Sequence, residues 1–348
     1  MGVAGFGFRS ALVLALVLLA AGESSAEEAA VPQATLADRY AADSTVTPEL
    51  AFEIAAHEGA VTSIGYTSGG QFLVSIGYDD FHIRLWDAAS GRLLDDVEWR
   101  ARPADLAVRS DTTTAYVVDA EGRVTEWTID GGRFRDPSPL AGLAGRSPRI
   151  AVDASGRRAV TTSWDDPAKL WDLEARSYVR ALPKSDQMRG VAFSPAGPMV
   201  ACGSHKDYFA IWNLDRLSWP IGALKKHKVP NAAAQSEVVS VAYSADGRRF
   251  ATGHLDTSLS IWDMEDGRQM HNWYVRNCSA MDVEFSPCGT VLATAQQDGN
   301  VHLWDVETRR GFARLHAHEG SASTVVFDPA ASGTIATGGD DGSIRVWR

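Results

Sequence analysis

Short runs of alternating apolar and polar residues recur from about residue 48 to the end of the chain, and seven of them close on a tryptophan. The tryptophans are Trp86, Trp127, Trp171, Trp212, Trp262, Trp304 and Trp347, so successive gaps are 41, 44, 41, 50, 42 and 43 residues. Alternation sends successive side chains to opposite faces of a strand, so each run predicts a β-strand with one face toward a core. Further runs, "VAFSPAG", "VAYSADG" and "VEFSPCG", carry Phe193, Tyr243 and Phe285, which match Tyr66 and Phe327 in two other repeats. A period of about 40–45 residues closing on a Trp-Asp-like dipeptide predicts one four-stranded sheet repeated around an axis.

The residues upstream of each tryptophan sharpen the pattern. A Ser or Thr precedes an acid by four positions, and the tryptophan follows six or seven later: Ser75/Asp79/Trp86, Thr161/Asp165/Trp171, Thr252/Asp256/Trp262, Thr294/Asp298/Trp304 and Thr337/Asp341/Trp347. The first repeat has one extra residue in its turn, at Asp80-Phe81-His82. Val117/Glu121/Trp127 lacks the hydroxyl, and Cys202/Lys206/Trp212 lacks hydroxyl and acid. His57 and His318 each stand in "AHEG", nine residues before Tyr66 and Phe327.

On these residues the chain resembles the WD-repeat β-propeller family over roughly residues 48–348. Trp86-Asp87, Trp171-Asp172, Trp262-Asp263 and Trp304-Asp305 carry its signature dipeptide, whereas Trp127-Thr128, Trp212-Asn213 and Trp347-Arg348 keep only the tryptophan. The resemblance implies an all-β, seven-bladed propeller of four-stranded antiparallel blades. It also implies a buried His, Asp, Ser/Thr and Trp network within a blade. Blades one and seven have a histidine at the right spacing (His57, His318). Blade five would have to use His227, sixteen residues before Tyr243.

A hydroxyl, a histidine and an acid together raise the question of a hydrolase. The trio recurs at fixed spacing with a tryptophan donor, and burial between strands would keep substrate from the hydroxyl. No Gly-x-Ser-x-Gly elbow, phosphate-cradling glycine loop or metal-spaced His/Cys cluster occurs. The expectation is a structural network, with no catalytic residue, cofactor or metal. Net charge is −11, and the one basic run, Lys225-Lys226-His227-Lys228, is too short to offset it. Such a body repels phosphate backbones, so nucleic acid is not an expected partner.

The N-terminus changes the setting. Arg9, an apolar run from Ala11 to Ala21 and small residues at Ser24 and Ala26 follow the order of a secretory signal over residues 1–26. The run is shorter than the roughly 20 residues that span a bilayer. The expectation is cleavage near Ala26-Glu27, leaving no membrane span, in a bacterial periplasm or a secreted location; an uncleaved anchor is the alternative. Residues 27–47 are acidic and Ala-rich and predict a linker or tail. Leu50, Phe52 and Ile54 then alternate as a strand, while the last blade holds three strands before the chain stops at Trp347-Arg348. Residues about 49–55 are therefore expected to close the ring as its fourth. Cys278 and Cys288 bracket one extended strand and Cys202 lies in another blade, so free thiols are expected.

The propeller architecture that the repeat and the resemblance imply leaves recognition as the expected role, that of an exported scaffold binding a protein through the rim and channel face. The alternative is an exported enzyme or small-ligand binder at the channel mouth. In the family, the residue before the turn acid faces the narrower rim. Here these residues are Tyr78, Ala120, Trp164, His205, Leu255, Gln297 and Asp340, with Phe81 and Tyr208 in the same turns. The long connection from Asp215 to Glu237 adds Trp219 as a second candidate contact.

Overall fold

The structure, a computed structural model, describes residues 48–348 apart from 110–112, 143, 147, 207, 217–221, 224–236, 275–277 and 331–332. The leader, the 27–47 tail, Trp219, His227 and the basic run lie outside the described residues. The described residues form seven four-stranded antiparallel sheets. Inner strands of successive blades pack side by side, and the last, Ala322–Phe327, packs on the first, Val61–Tyr66. The result is a closed seven-bladed propeller.

Ring closure follows the expected register. Leu50–Ala55 pairs antiparallel with Ser343–Trp347, setting Phe52 opposite Val346 and Ile54 opposite Ile344. One blade thus takes strands from both ends of the propeller sequence, which covers the edge that Ser343–Trp347 would otherwise present.

Burial within a blade explains why the alternation is clearest in some strands only. The second strand of blade one, Phe72–Gly77, is buried at every position because sheets cover both of its faces, and it reads as a near-continuous apolar run. The outer strand, Leu93–Glu98, is only partly covered and carries two aspartates. In blade four the described part of the outer strand is Gly222–Ala223, which pairs with Ala210 and Ile211.

Seven apolar clusters form the core, one at each junction between neighbouring blades. Each repeat tryptophan enters the cluster between its own blade and the preceding one; Trp86, for example, packs with Ile344 and Val346 of blade seven. At about 25 cal/mol per Å², a ring burying some 200 Å² contributes several kcal/mol of burial free energy. The tryptophan period is therefore also the period of the blade junctions.

The three cysteines are free thiols. Burial raises Cys202 well above the ordinary thiol range and Cys278 to about 12, so both are held as protonated side chains at neutral pH.

Candidate functional site

The repeated network is a directed chain of hydrogen bonds. In blade one Trp86 Nε1 donates to Ser75 Oγ at 2.8 Å, and Ser75 Oγ lies 2.8 Å from His57 Nε2. His57 Nδ1 is 3.0 Å from Asp80 Oδ2. Nδ1 faces both the carboxylate, which only accepts, and Arg84 Nη1 at 2.9 Å, which only donates. With Arg84 Nη1 paired to Asp80 at 2.7 Å, we assign the proton to Nδ1, and Nε2 accepts from the serine. Blade seven repeats this through Trp347, Thr337, His318 and Asp341, with His318 2.9 Å from both partners. Arg84 pairs with Asp80 at 2.7 Å and Arg345 with Asp341 at 3.1 Å, four residues on in each case.

Blade one corrects the sequence assignment. The acid is Asp80 and not Asp79, because the extra residue in the turn shifts the equivalent position by one. The same inference follows from the turn itself. Asp80 accepts from the N–H of His82, as Asp256, Asp298 and Asp341 accept from the N–H two residues on.

In the other blades the tryptophan bond persists where the hydroxyl does. Trp171 donates to Thr161 at 2.8 Å, and Trp262 and Trp304 donate to Thr252 and Thr294 at 3.2 Å. Without the hydroxyl, Trp212 turns to the carbonyl of Pro183, and Trp127 Nε1 is buried without a hydrogen-bond partner. In blade five Thr252 meets His254 Nε2 at 2.9 Å, and in blade six Gln296 Nε2 donates to Thr294 at 2.8 Å. Thr161 is followed two residues on by Ser163, which binds Asp165 at 2.8 Å.

Burial dominates the histidines' acid-base behaviour. It pushes His57 down to about 4 against the pull of Asp80, and it also lowers His318, against the pull of Asp341. Burial pushes Asp341 up, but bonds from Ser343, His318 and Glu319 outweigh it and hold the carboxyl at about 2. Neutral histidine beside ionised aspartate is a stable hydrogen-bonded pair, with its hydroxyl shielded inside the sheet.

The channel is a second polar site. It encloses a cavity of about 120 Å³ lined by Ser63, Asp105, Arg149, Gly190, Ser240, Asp282 and Thr324, one from each blade. In six of the blades the inner strand shifts register just before this position, and such a bulge re-aims a side chain. Asp282 accepts from Ser240 Oγ of blade five at 2.9 Å and from the N–H of Val325 of blade seven at 3.1 Å. Asp105 accepts from Ser63 of blade one and from the N–H of Ile150 of blade three at 2.9 Å. Each aspartate thus ties three consecutive blades, a role that single-repeat spacing does not reveal. Burial raises both above the ordinary carboxylate range, and raises Glu284, which accepts from the N–H of Phe327, well above it. Among the described residues, no group of three or more His, Cys, Asp or Glu is placed to hold a metal.

All seven rim residues occupy one structural position. The N–H of Tyr78, Ala120, Trp164, His205, Leu255, Gln297 and Asp340 donates to the carbonyl of Ala60, Arg102, Arg146, Gln187, Glu237, Ser279 and Ser321 respectively. Their side chains differ. Tyr78 is 41% exposed, Trp164 43%, and Leu255 and Phe81 are also open to solvent. Arg102 lies over Tyr78, its guanidinium carbon 4.1 Å from the ring centre. Trp164 meets His205 edge-on at 4.1 Å, with Arg189 5.8 Å from its ring. Glu237 joins them, 2.6 Å from His205 and 2.8 Å from Arg189. Asp340 turns back to accept from the N–H of Ser321. Gln297 and Ala120 are exposed, whereas Tyr208 packs partly buried against the junction of blades three and four.

Comparison with known proteins agrees with the repeat. The "WD domain, G-beta repeat" model matches residues 48–87, 269–305 and 312–348, and the "Anaphase-promoting complex subunit 4 WD40 domain" model matches 191–284. The chain is 25% identical over 257 residues to Autophagy-related protein 16 of Arabidopsis thaliana, covering 69% of this chain and 47% of that protein. It is 26% identical over 251 residues to Protein HIR1 of Cryptococcus neoformans, covering 62% and 28%. WD repeat-containing protein VIP3 of Arabidopsis thaliana matches at 27% over 132 residues, covering 35% and 40%. The chain spans less than half the length of each of these curated relatives. No helix among the described residues is long and apolar enough to cross a membrane.

Proposed function

We propose that this seven-bladed propeller of WD40 repeats is an exported scaffold that binds a partner protein through its narrower rim. WD40 propellers generally act as protein-interaction scaffolds, and the repeated hydroxyls Ser75, Thr161, Thr252, Thr294 and Thr337 are buried. The observation that carries the reading is the pair of exposed aromatics, Tyr78 and Trp164, on equivalent rim positions of blades one and three, each against an arginine. Tyr, Trp and Arg dominate interface hot spots, because a rigid ring buries much area for little lost freedom.

Export rests on Arg9, the apolar run Ala11–Ala21 and the small residues Ser24 and Ala26. Mass spectrometry of the mature N-terminus tests it: cleavage near Ala26-Glu27 is expected, and recovery of intact Met1 from soluble cytoplasm would sink it. Crosslinking and capture from the envelope fraction tests the scaffold. Tyr78→Ala and Trp164→Ala should leave the melting temperature within about 2 °C of wild type while capture falls at least about tenfold. A large loss of stability would mean that the rings are packed for structure. A small-ligand role for the channel is less well supported, since Asp105 and Asp282 already accept hydrogen bonds from neighbouring blades.

A further inference from the structure

We infer that the blade-one turn is a receptor for a carboxylate on an acidic segment of the partner protein, with Arg102 as the anion-binding group between Tyr78 and Phe81. This rests on the scaffold reading and names the chemistry of its partner. Three observations meet at this point of the rim. The first is the extra residue of the turn, which holds Phe81 at φ +59°, a left-handed conformation uncommon for an aromatic residue. Its ring is nonetheless 36% exposed, so no core packing accounts for the strained backbone. The second is the stack: the Arg102 guanidinium carbon lies 4.1 Å from the Tyr78 ring centre and 5.7 Å from that of Phe81, and Nη1 donates to Tyr78 Oη at 3.0 Å.

The third is what Arg102 lacks. Among the described residues it has no acidic partner within ion-pair distance, and its Nε is buried without a hydrogen-bond partner. Several other rim cations are paired with acids: Arg146 with Asp165 at 3.6 Å, Lys169 with Asp166 at 2.9 Å, and Arg189 and His205 with Glu237. The two acids of the blade-one turn are turned elsewhere. Asp80 is bound to His57 and Arg84, and Asp79 lies against Gly59.

A guanidinium flanked by aromatic rings keeps its flat faces from water; with Nε buried and one Nη1 N–H on Tyr78, the terminal Nη1/Nη2 edge is what remains for planar, two-pronged hydrogen bonding. A carboxylate matches that edge, and charge-assisted bonds of this kind are about twice as strong as neutral ones. The rings beside it suit the methylene carbons of a glutamate or an apolar neighbour, so the fitting partner is an extended acidic segment with interspersed apolar residues.

The test uses the full chain and a fluorescein-labelled peptide of alternating Glu and Leu, followed by fluorescence anisotropy. Its Gln-for-Glu and phosphoserine-for-Glu counterparts are measured alongside, and circular dichroism confirms that every variant is folded. The Glu peptide should bind at least about tenfold more tightly than the Gln peptide, and Arg102→Gln should remove that preference. Arg102→Lys should recover only part of it, because an ammonium is a point charge without the fork. Trp164→Ala should leave it intact. Equal binding of Glu and Gln peptides, or unchanged binding by Arg102→Gln, overturns the inference. A phosphoserine peptide bound tenfold more tightly than the Glu peptide overturns the carboxylate assignment. If the Glu peptide fails while Tyr78→Ala and Trp164→Ala still lose crosslinked partner, this inference falls and the scaffold reading stands. If the peptide binds as expected but those variants capture partner normally, Arg102 binds carboxylates but not on the captured partner, and the inference falls together with the rim-aromatic reading.

Discussion

His254 Nε2 lies 2.9 Å from Thr252 Oγ1, two residues away on the same strand, and takes the place that His57 and His318 reach from a different loop in blades one and seven. The position two residues after the hydroxyl decides which arrangement a blade uses. It is Gly77 in blade one, where an added Cβ would run into Asp80 and the ring of His57, and Gly339 in blade seven, where it would run into His318. In blades five and six it is His254 and Gln296, whose own side chains bind the threonine. The loop histidine and the strand side chain are alternatives for one space.

This relationship predicts the effect of filling that space. Gly77→Ala and Gly339→Ala should each destabilise the fold by about 1–3 kcal/mol, as overpacking in a buried site does. Gly197→Ala, where an added Cβ meets nothing within 4 Å, should stay within about 0.5 kcal/mol. Removing the ring as well, in Gly77→Ala/His57→Ala, should recover part of the Gly77→Ala loss beyond simple addition. Denaturant titration reads these four together with His57→Ala alone, and additive losses would show that the ring and the Cβ do not compete.

The blade-one acid gives a second comparison. Asp80→Asn should cost about 1–3 kcal/mol, because it weakens bonds to His57, Arg84 and the N–H of His82. Asp79→Asn should stay within about 0.5 kcal/mol, since Asp79 is exposed. A reversed order would restore Asp79 as the network acid.

Closure of the ring can be read by hydrogen exchange. A chain lacking residues 27–56 should lose protection of the Ser343–Trp347 amides that bond to Leu50–Ala55, though Ile335–Gly339 still pairs on the other side, whereas one lacking 27–47 should keep it. Ile54→Ala in the full chain should cost about 2–4 kcal/mol, since Ile54 is buried in the cluster joining blades seven and one. Equal protection in both truncations would require a different closing strand.

Glu284 should give a pH-dependent difference of known sign. Burial raises its folded pKa well above the ordinary 4.5, with the charge of Asp282 adding to the effect. The folded state therefore binds the proton more tightly than the unfolded one, and this group's contribution to stability falls as pH rises from 4.5 toward the folded pKa. Glu284→Gln removes that loss, so the variant's melting temperature relative to wild type should rise with pH across this window. His57 acts in the opposite sense: with its folded value at about 4, stability is lost as pH falls from 6.5 toward 4. A constant offset between Glu284→Gln and wild type from pH 4.5 to 8 would show that Glu284 is not perturbed.

The sequence by itself determined the blade count, the strand order within a blade and the strand that closes the ring. Each of these depends on a local period: alternation fixes which residues face a core, and the tryptophan spacing fixes how often a sheet begins. It also placed all seven rim residues at equivalent positions, because the turn geometry is set within one repeat. Tertiary structure decided what arises between repeats. Spacing from Ser75 named Asp79 as the network acid of the first turn, and only the approach of His57 from the preceding loop shows that it is Asp80. The exchange between loop histidine and strand side chain was written in the chain as Gly77, Gly339, His254 and Gln296. It becomes legible once the loop and strand are seen to share one volume. Asp105 and Asp282 look like ordinary polar positions of a strand, and only the bulges and the closed ring bring their carboxylates to the backbone of the next blade. The stacking of Arg102 on Tyr78 is of the same kind, since it joins residues of two blades across a junction that no single repeat encodes.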